Sequence, residues 1–213
     1  MAGAAGLCRG RPLTGAIGAA APRYPSRGLP VDVEPLDRVD CSALRWLRSE
    51  AHPAAFDLLA GNHAVAAMRW HRPSGSLAEA ETAEGRWTLK RTGFLHGRVT
   101  LRAAGADTDA AQISIHWRRS TLELAGGGRY PFERAGLAVP AWQFLGPGGD
   151  RWIHIEPVRE KGRLVGGLVT VEPAAQKLPE LAKLLVTGWY YVAQEWFEDE
   201  AAALTAAVAA TIG

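Results

Sequence analysis

The chain has 213 residues, of which 47% are hydrophobic and 22% are charged, and its formal net charge is +2. This composition is that of a globular protein with one substantial core, and the total charge is too small to indicate a polyanion partner by itself. Only Cys8 and Cys41 are present, which argues against a disulfide-stapled secreted scaffold and favours a reducing compartment.

The N-terminal part has a composition of its own. Residues 1–31 contain four arginines and no acidic residue, and they are rich in Ala, Gly and Pro. Transit peptides and disordered tails share this composition, while a secretory signal would need a more apolar central segment. We predict a disordered tail, with a targeting segment as the open alternative. Residues 32–52 are predicted to form a linker with a short helix that begins near Asp40 or Ser42 and ends before Pro53.

Beyond residue 53 the apolar period changes to two. Stretches such as 86–90, 98–102 and 112–118 alternate between apolar and polar residues, which predicts half-buried strands of an antiparallel sheet. Gly-rich turns separate these strands from further ones. The additional predicted strands are 55–59, 63–70, 77–81, 121–125, 128–133, 141–145, 151–156 and 163–171. So many short strands at regular spacing favour a barrel or a sandwich.

The segment 178–197 is predicted to be a helix, with Pro179 in its first turn. On a helical projection its polar residues Lys183, Thr187 and Gln194 share one narrow stripe, and about three-quarters of the circumference is apolar. Such a helix belongs in a protein core or a membrane. Polar residues within the run and aromatic residues at its middle favour the core of a soluble domain, and Gly188 predicts close approach of a neighbouring element.

After the acidic break at 198–200, residues 201–213 are predicted to be an Ala-rich tail, either a weak helix or a frayed end. The predicted domain therefore covers 53–200. Its fold class is mainly β with a C-terminal helix, as a closed or strongly curved antiparallel β-barrel around the buried helix 178–197.

This order of elements resembles that of the tubby-like barrels, the superfamily that includes the phospholipid scramblases and the LURP-one-related proteins. The strand series 56–171, the Gly-rich turns and the helix with Gly188-Trp189-Tyr190 carry the resemblance. It implies a closed antiparallel barrel around a hydrophobic C-terminal helix. It also implies association with phosphoinositides or other membrane lipids, as in some members. No functional residue is transferred from the family.

Motifs that would identify a reaction are missing from the sequence. There is no HExxH motif, no paired CxxC, no GxSxG elbow and no phosphate-binding loop. His154 and Glu156 stand two residues apart on one predicted strand face, where both could reach one ion. The polar face of a strand needs such residues in any case, so we predict neither a metal nor a cofactor, and we favour a protein that is not an enzyme.

One charge asymmetry suggests a binding surface. Five basic residues of the central strands are predicted to point away from the apolar face, namely Arg86, Lys90, Arg98, Arg102 and Arg118. Such a surface could bind anionic lipid headgroups or a nucleic-acid backbone, or it could be a solvated face balanced by acidic residues elsewhere.

The sequence thus favours a binding or scaffold protein that associates with anionic lipid at a membrane surface from the cytoplasm. The alternative is a hollow barrel that binds or transforms a small apolar ligand.

Overall fold

A computed structural model describes residues 33–50, 52–72, 75–93, 97–116, 119–136 and 140–212, so the predicted tail at 1–31 lies outside the described residues. Twelve strands precede two helices. The strands are β1 (Ala43–Arg48), β2 (Ala55–Ala60), β3 (His63–Trp70), β4 (Leu77–Thr82), β5 (Gly85–Thr92), β6 (Arg98–Ala103), β7 (Asp109–Ser114), β8 (Ser120–Leu124), β9 (Arg129–Ala135), β10 (Ala141–Leu145), β11 (Arg151–Glu160) and β12 (Arg163–Val171), and the helices are α1 (Pro173–Gln176) and α2 (Leu181–Ile212).

The strands form one closed barrel in which every neighbouring pair is antiparallel. Each strand pairs with the next in sequence, and β1 also pairs with β12. Inward side chains alternate with outward ones, so that, for example, Val99 and Leu101 are buried while Arg98 and Arg102 are exposed. Closure removes the exposed edges that an open sheet would present to other chains. The predicted fold class is confirmed.

The short helix predicted between Asp40 and Pro53 is wrong, because this segment contains β1. Leu44 and Trp46 are two residues apart and both point into the core, as a strand requires. The backbone N–H and C=O groups of this segment form hydrogen bonds with β2 and β12. These partners are in place only once the rest of the barrel has formed. Before it, Leu36–Arg38 forms only a single 3₁₀ turn.

The interior of the barrel holds the first half of α2. Trp189 is fully buried and stacks on Trp46 with ring centroids 5.3 Å apart, while Tyr190 stacks in the same way on Trp70 at 5.5 Å. The two stacks join the helix to β1 and β3. The core position predicted for this helix is therefore observed. Within the described residues, no helix combines the length and the hydropathy that crossing a bilayer would require.

Two glycines allow the helix and the barrel wall to approach closely. A Cβ added to Gly188 of α2 would lie 2.8 Å from side-chain atoms of both Ile155 and Phe144. On the wall, a Cβ added to Gly167 would lie 2.5 Å from Cζ3 of Trp189. Neither position has room for a side chain. The close approach of a neighbouring element that the sequence predicts at Gly188 is therefore observed.

The helix continues beyond its predicted end at residue 197. The acidic residues that follow do not break it, because the barrel binds two of them. Arg91 donates two hydrogen bonds to the carboxylate of Glu198, at 2.7 and 2.8 Å, and the amide of Leu164 donates one to Glu200 at 3.0 Å. Residues beyond Glu200 then extend as a helix away from the barrel, and Val208 is 58% exposed.

Candidate functional site

Four of the five predicted basic residues lie together on the outer face of β5 and β6. Arg86 and Lys90 point outward from β5, and Arg98 and Arg102 point outward from β6. Arg118 lies outside the described residues. The register between β5 and β6 places three of these cations opposite a threonine on the neighbouring strand. Like charges therefore do not face each other directly. These pairs are Lys90 with Thr100, Arg98 with Thr92 and Arg102 with Thr88.

Two of these four cations are partly neutralised. Arg102 donates two hydrogen bonds to one carboxylate oxygen of Asp109, at 3.0 and 2.8 Å. The Nε of Arg86 lies 3.6 Å from a carboxylate oxygen of Glu81. Both pairs lie toward the same end of the two strands. The basic face is therefore weakest where Arg86 and Arg102 were expected to contribute.

The other two cations remain available. Lys90 and Arg98 are exposed, and within the described part of the chain no carboxylate lies at ion-pair distance from either. Their neighbours on the flanking strands are Leu77 and Ser114, neither of which is charged. This pair lies at the end of the barrel where α2 emerges, which we call the exit end.

The exit end as a whole carries excess positive charge. In the described residues, eight cations near this end have no partner in a salt bridge, against five acidic residues in the same situation, which leaves a difference of three positive charges. The cations are Arg48, Arg72, Lys90, Arg98, Arg134, Arg159, Lys161 and Arg163, and the acidic residues are Glu50, Glu160, Glu195, Asp199 and Glu200; Arg45, Asp57 and Glu156 lie in the middle of their strands and are counted at neither end.

The opposite end of the barrel has the reverse balance. There the described part of the chain has two cations and five acidic residues outside ion pairs, which leaves a difference of three negative charges. The cations are Arg38 and Lys177, and the acidic residues are Asp37, Asp40, Asp107, Asp150 and Glu180. A net charge of +2 for the chain therefore hides a separation of charge along the barrel axis.

A pocket of about 520 Å³ opens beside α2 near the exit end. Glu195 and Tyr191, one helical turn apart, line one wall, and Phe132 and Trp142 line another. A second pocket of about 250 Å³ adjoins it and shares Glu195, Trp142 and Arg134. Burial raises the pKa of the Glu195 carboxyl, although a hydrogen bond from Tyr191 opposes this shift in part. Burial also raises the pKa of Tyr191.

His154 and Glu156 do lie on the outer face of β11, as their spacing predicts. Burial lowers the pKa of His154, and the positive charge of Arg151 acts in the same direction, so the imidazole favours its neutral form. In the described ranges, no group of three or more His, Cys, Asp or Glu residues is placed to hold a metal ion. This pair therefore lacks the further ligands that a metal centre needs.

Comparison of the chain with protein-family models, with curated proteins and with solved structures finds no match.

Sequence reasoning located the outward cations of β5 and β6 but missed two features. It did not find the charge separation, because that depends on which strand ends meet in the barrel. It also missed the Glu195 pocket. The signal in the sequence was that Glu195 falls outside the polar stripe of its helix.

Proposed function

We propose that the protein is a non-enzymatic, peripheral membrane-binding protein whose exit end docks on an anionic lipid surface. The observation that carries the proposal is the excess of three positive charges at the exit end, to which the unpaired Lys90 and Arg98 belong. The proposal includes a cytoplasmic location, because the anionic lipids of cellular membranes are concentrated in the cytoplasmic leaflet.

The expected strength of this attraction follows from the number of charges. A basic residue near an anionic membrane contributes about 1 kcal/mol, so an excess of three contributes about 3 kcal/mol, or on the order of 100-fold in partitioning. The excess of acidic residues lies at the opposite end of the barrel, a full strand length from the exit end. At physiological salt, charges there are screened over about 8 Å and oppose the contact little.

The emerging part of α2 favours a lipid surface over a nucleic-acid backbone. Residues 201–212 contain no charged side chain, and Val208 is largely exposed. An uncharged helix beside a barrel end with excess positive charge suits the boundary between headgroups and acyl chains. It would add nothing to the binding of a phosphodiester backbone, which depends on cations and on stacking aromatics.

A vesicle experiment tests the proposal. The full chain should sediment with vesicles of phosphatidylcholine containing phosphatidylserine, should not sediment with phosphatidylcholine alone, and should dissociate as salt increases. Lys90→Glu combined with Arg98→Glu should weaken binding at least about 30-fold, because roughly 2 kcal/mol of attraction is lost. The matched control, Arg38→Glu with Lys177→Glu, changes the net charge equally at the opposite end and should bind nearly as the parent does.

The proposal fails if the parent protein shows no preference for anionic vesicles, or if the two double variants bind equally.

The hollow-barrel alternative depends on an open interior, and Trp189 and its neighbours on α2 occupy the described interior instead. A closed barrel around a C-terminal helix is the arrangement that the resemblance to tubby-like barrels implies. Membership of that superfamily remains a proposal.

A further inference from the structure

The carboxyl of Glu195 differs from those of Glu198 and Glu200 on the same helix. Glu198 accepts hydrogen bonds from Arg91 and Glu200 accepts one from the Leu164 amide, so both are bound by the barrel wall. The hydrogen bond of Glu195 comes from Tyr191, on its own helix. Among the described residues, no cation lies at ion-pair distance from Glu195. The positive charges of Arg134 and Arg91 favour its ionised form only from beyond that distance. A mostly buried carboxyl with no counter-ion in contact is costly unless something else compensates it.

The space in front of this carboxyl is an open pocket with aromatic walls. Its volume of about 520 Å³ is within the range of small-molecule sites. Phe132 and Trp142, which are only 1% and 4% exposed, lie on the barrel-wall side of the pocket, and the ring of Tyr191 lies beside Glu195 on the helix. Phe132 contacts Tyr191 edge to face, with ring centroids 5.3 Å apart, so that the aromatic wall is continuous across the gap between wall and helix.

The face of Trp142 already accepts a cation in this structure. The guanidinium carbon of Arg134 lies 5.5 Å from the centroid of the Trp142 ring. Arg134 is exposed and is shared by both pockets, so a ligand can compete with it for the ring. Aromatic faces next to a carboxylate are the combination that recognises substituted ammonium groups, through cation–π attraction and charge pairing together.

We propose that this pocket binds a ligand bearing a substituted ammonium group. Its nitrogen pairs with the Glu195 carboxylate, and its alkyl part packs against Trp142, Phe132 and Tyr191. The inference does not depend on the proposed membrane function, since neither Lys90 nor Arg98 lines the pocket and the ligand has the opposite charge.

Other charged groups around the pocket also affect the binding of a cation. Arg134 and Arg91 oppose a cation, whereas Asp199 and Glu198 favour one. Glu133, also at the pocket, is occupied by Arg119 at 3.2 Å and by the amide of Gln143 at 3.1 Å. Among the described residues that line the larger pocket, His116 and Tyr191 are the other titratable groups. Of the two carboxylates that line the larger pocket, Glu195 therefore has fewer partners than Glu133.

Three probes of equal length separate charge recognition from apolar binding. Hexylammonium, hexanol and hexanoate each place the same chain in the pocket with a positive, neutral or negative end. Binding to the full chain at pH 7 can be followed by calorimetry. We expect hexylammonium to bind at least tenfold more tightly than hexanol, and hexanoate to bind least. Glu195→Gln should remove the preference for the amine, while Glu133→Gln, the matched control in the same pocket, should retain it.

Several outcomes would overturn this proposal. They are equal binding of amine and alcohol, tighter binding of hexanoate, no binding of any probe at millimolar concentration, or an unchanged amine preference in Glu195→Gln that remains folded by circular dichroism. Vesicles containing phosphatidylethanolamine identify the source of the ammonium group. Glu195-dependent binding to them indicates a lipid headgroup, whereas Glu195-dependent binding of hexylammonium alone indicates a soluble amine.

Discussion

Replacing Gly167 by alanine tests the packing of the helix against the barrel wall. The added Cβ would lie 2.5 Å from Cζ3 and 2.9 Å from Cη2 of Trp189, and 3.1 Å from the backbone oxygen of Glu156. Trp189 has nowhere to move, because Trp46 stacks on it at 5.3 Å and Phe56 meets it edge to face at 5.2 Å. The new methyl must therefore displace the helix or distort the strand.

The magnitude of the effect follows from two opposing terms. Overpacking of a well-filled core costs about 1–3 kcal/mol, while replacing glycine by alanine restrains the unfolded chain and returns about 0.4–1 kcal/mol. A net loss of about 1–2 kcal/mol is expected. For a domain of this size that lowers the melting temperature by about 2–8 °C. Trp189→Phe in the same chain vacates the space, so the two changes should cost about 0.5–3 kcal/mol less together than the sum of the single effects.

Urea denaturation followed by tryptophan fluorescence and far-ultraviolet circular dichroism measures each variant. Gly126→Ala is the control, because its added Cβ meets nothing within 4 Å and its backbone lies outside the left-handed region. It should leave stability unchanged or raise it slightly. If Gly167→Ala were as stable as this control, or if its effect and that of Trp189→Phe simply added, then Trp189 would not pack against Gly167 in solution.

Three further predictions concern α2. Leu185→Asp should abolish the folded state, seen by circular dichroism and gel filtration, since it leaves a charge in the filled interior; a folded variant would contradict the core position. Tyr190→Phe should cost about 1–3 kcal/mol in urea, as the hydroxyl donates to the Ser76 carbonyl and accepts from the Arg91 amide. Because burial raises the pKa of Glu195, its ionisation costs stability above that pKa, so Glu195→Gln should raise the melting temperature at pH 7 but not below about pH 4.

The strands were predictable because their pattern is strong and local. In β6, for example, Val99 and Leu101 point inward while Arg98 and Arg102 point outward. The same alternation recurs wherever one strand face is buried, and turns rich in glycine separate the strands. The strand 43–48 was missed although Leu44 and Trp46 also alternate. Its apolar residues fit a helical spacing equally well, and a short segment offers too few repeats to separate the two periods.

The candidate sites were predictable only in part. That Lys90 and Arg98 point outward follows from strand alternation. That Arg86 and Arg102 find Glu81 and Asp109 follows only from the register with neighbouring strands. Arg118 stays a prediction, as does the lipid ligand itself.

Local sequence patterns are enough to show that this chain buries one apolar helix among alternating strands. Each pattern requires the burial of a particular face, and the helix and the strands can bury those faces against each other. Only the folded structure shows which strand closes the barrel, which charges are paired and which collect at the exit end, and that Glu195 faces a pocket. These features depend on contacts between residues far apart in the chain, and no local pattern of residues encodes which strand ends will meet.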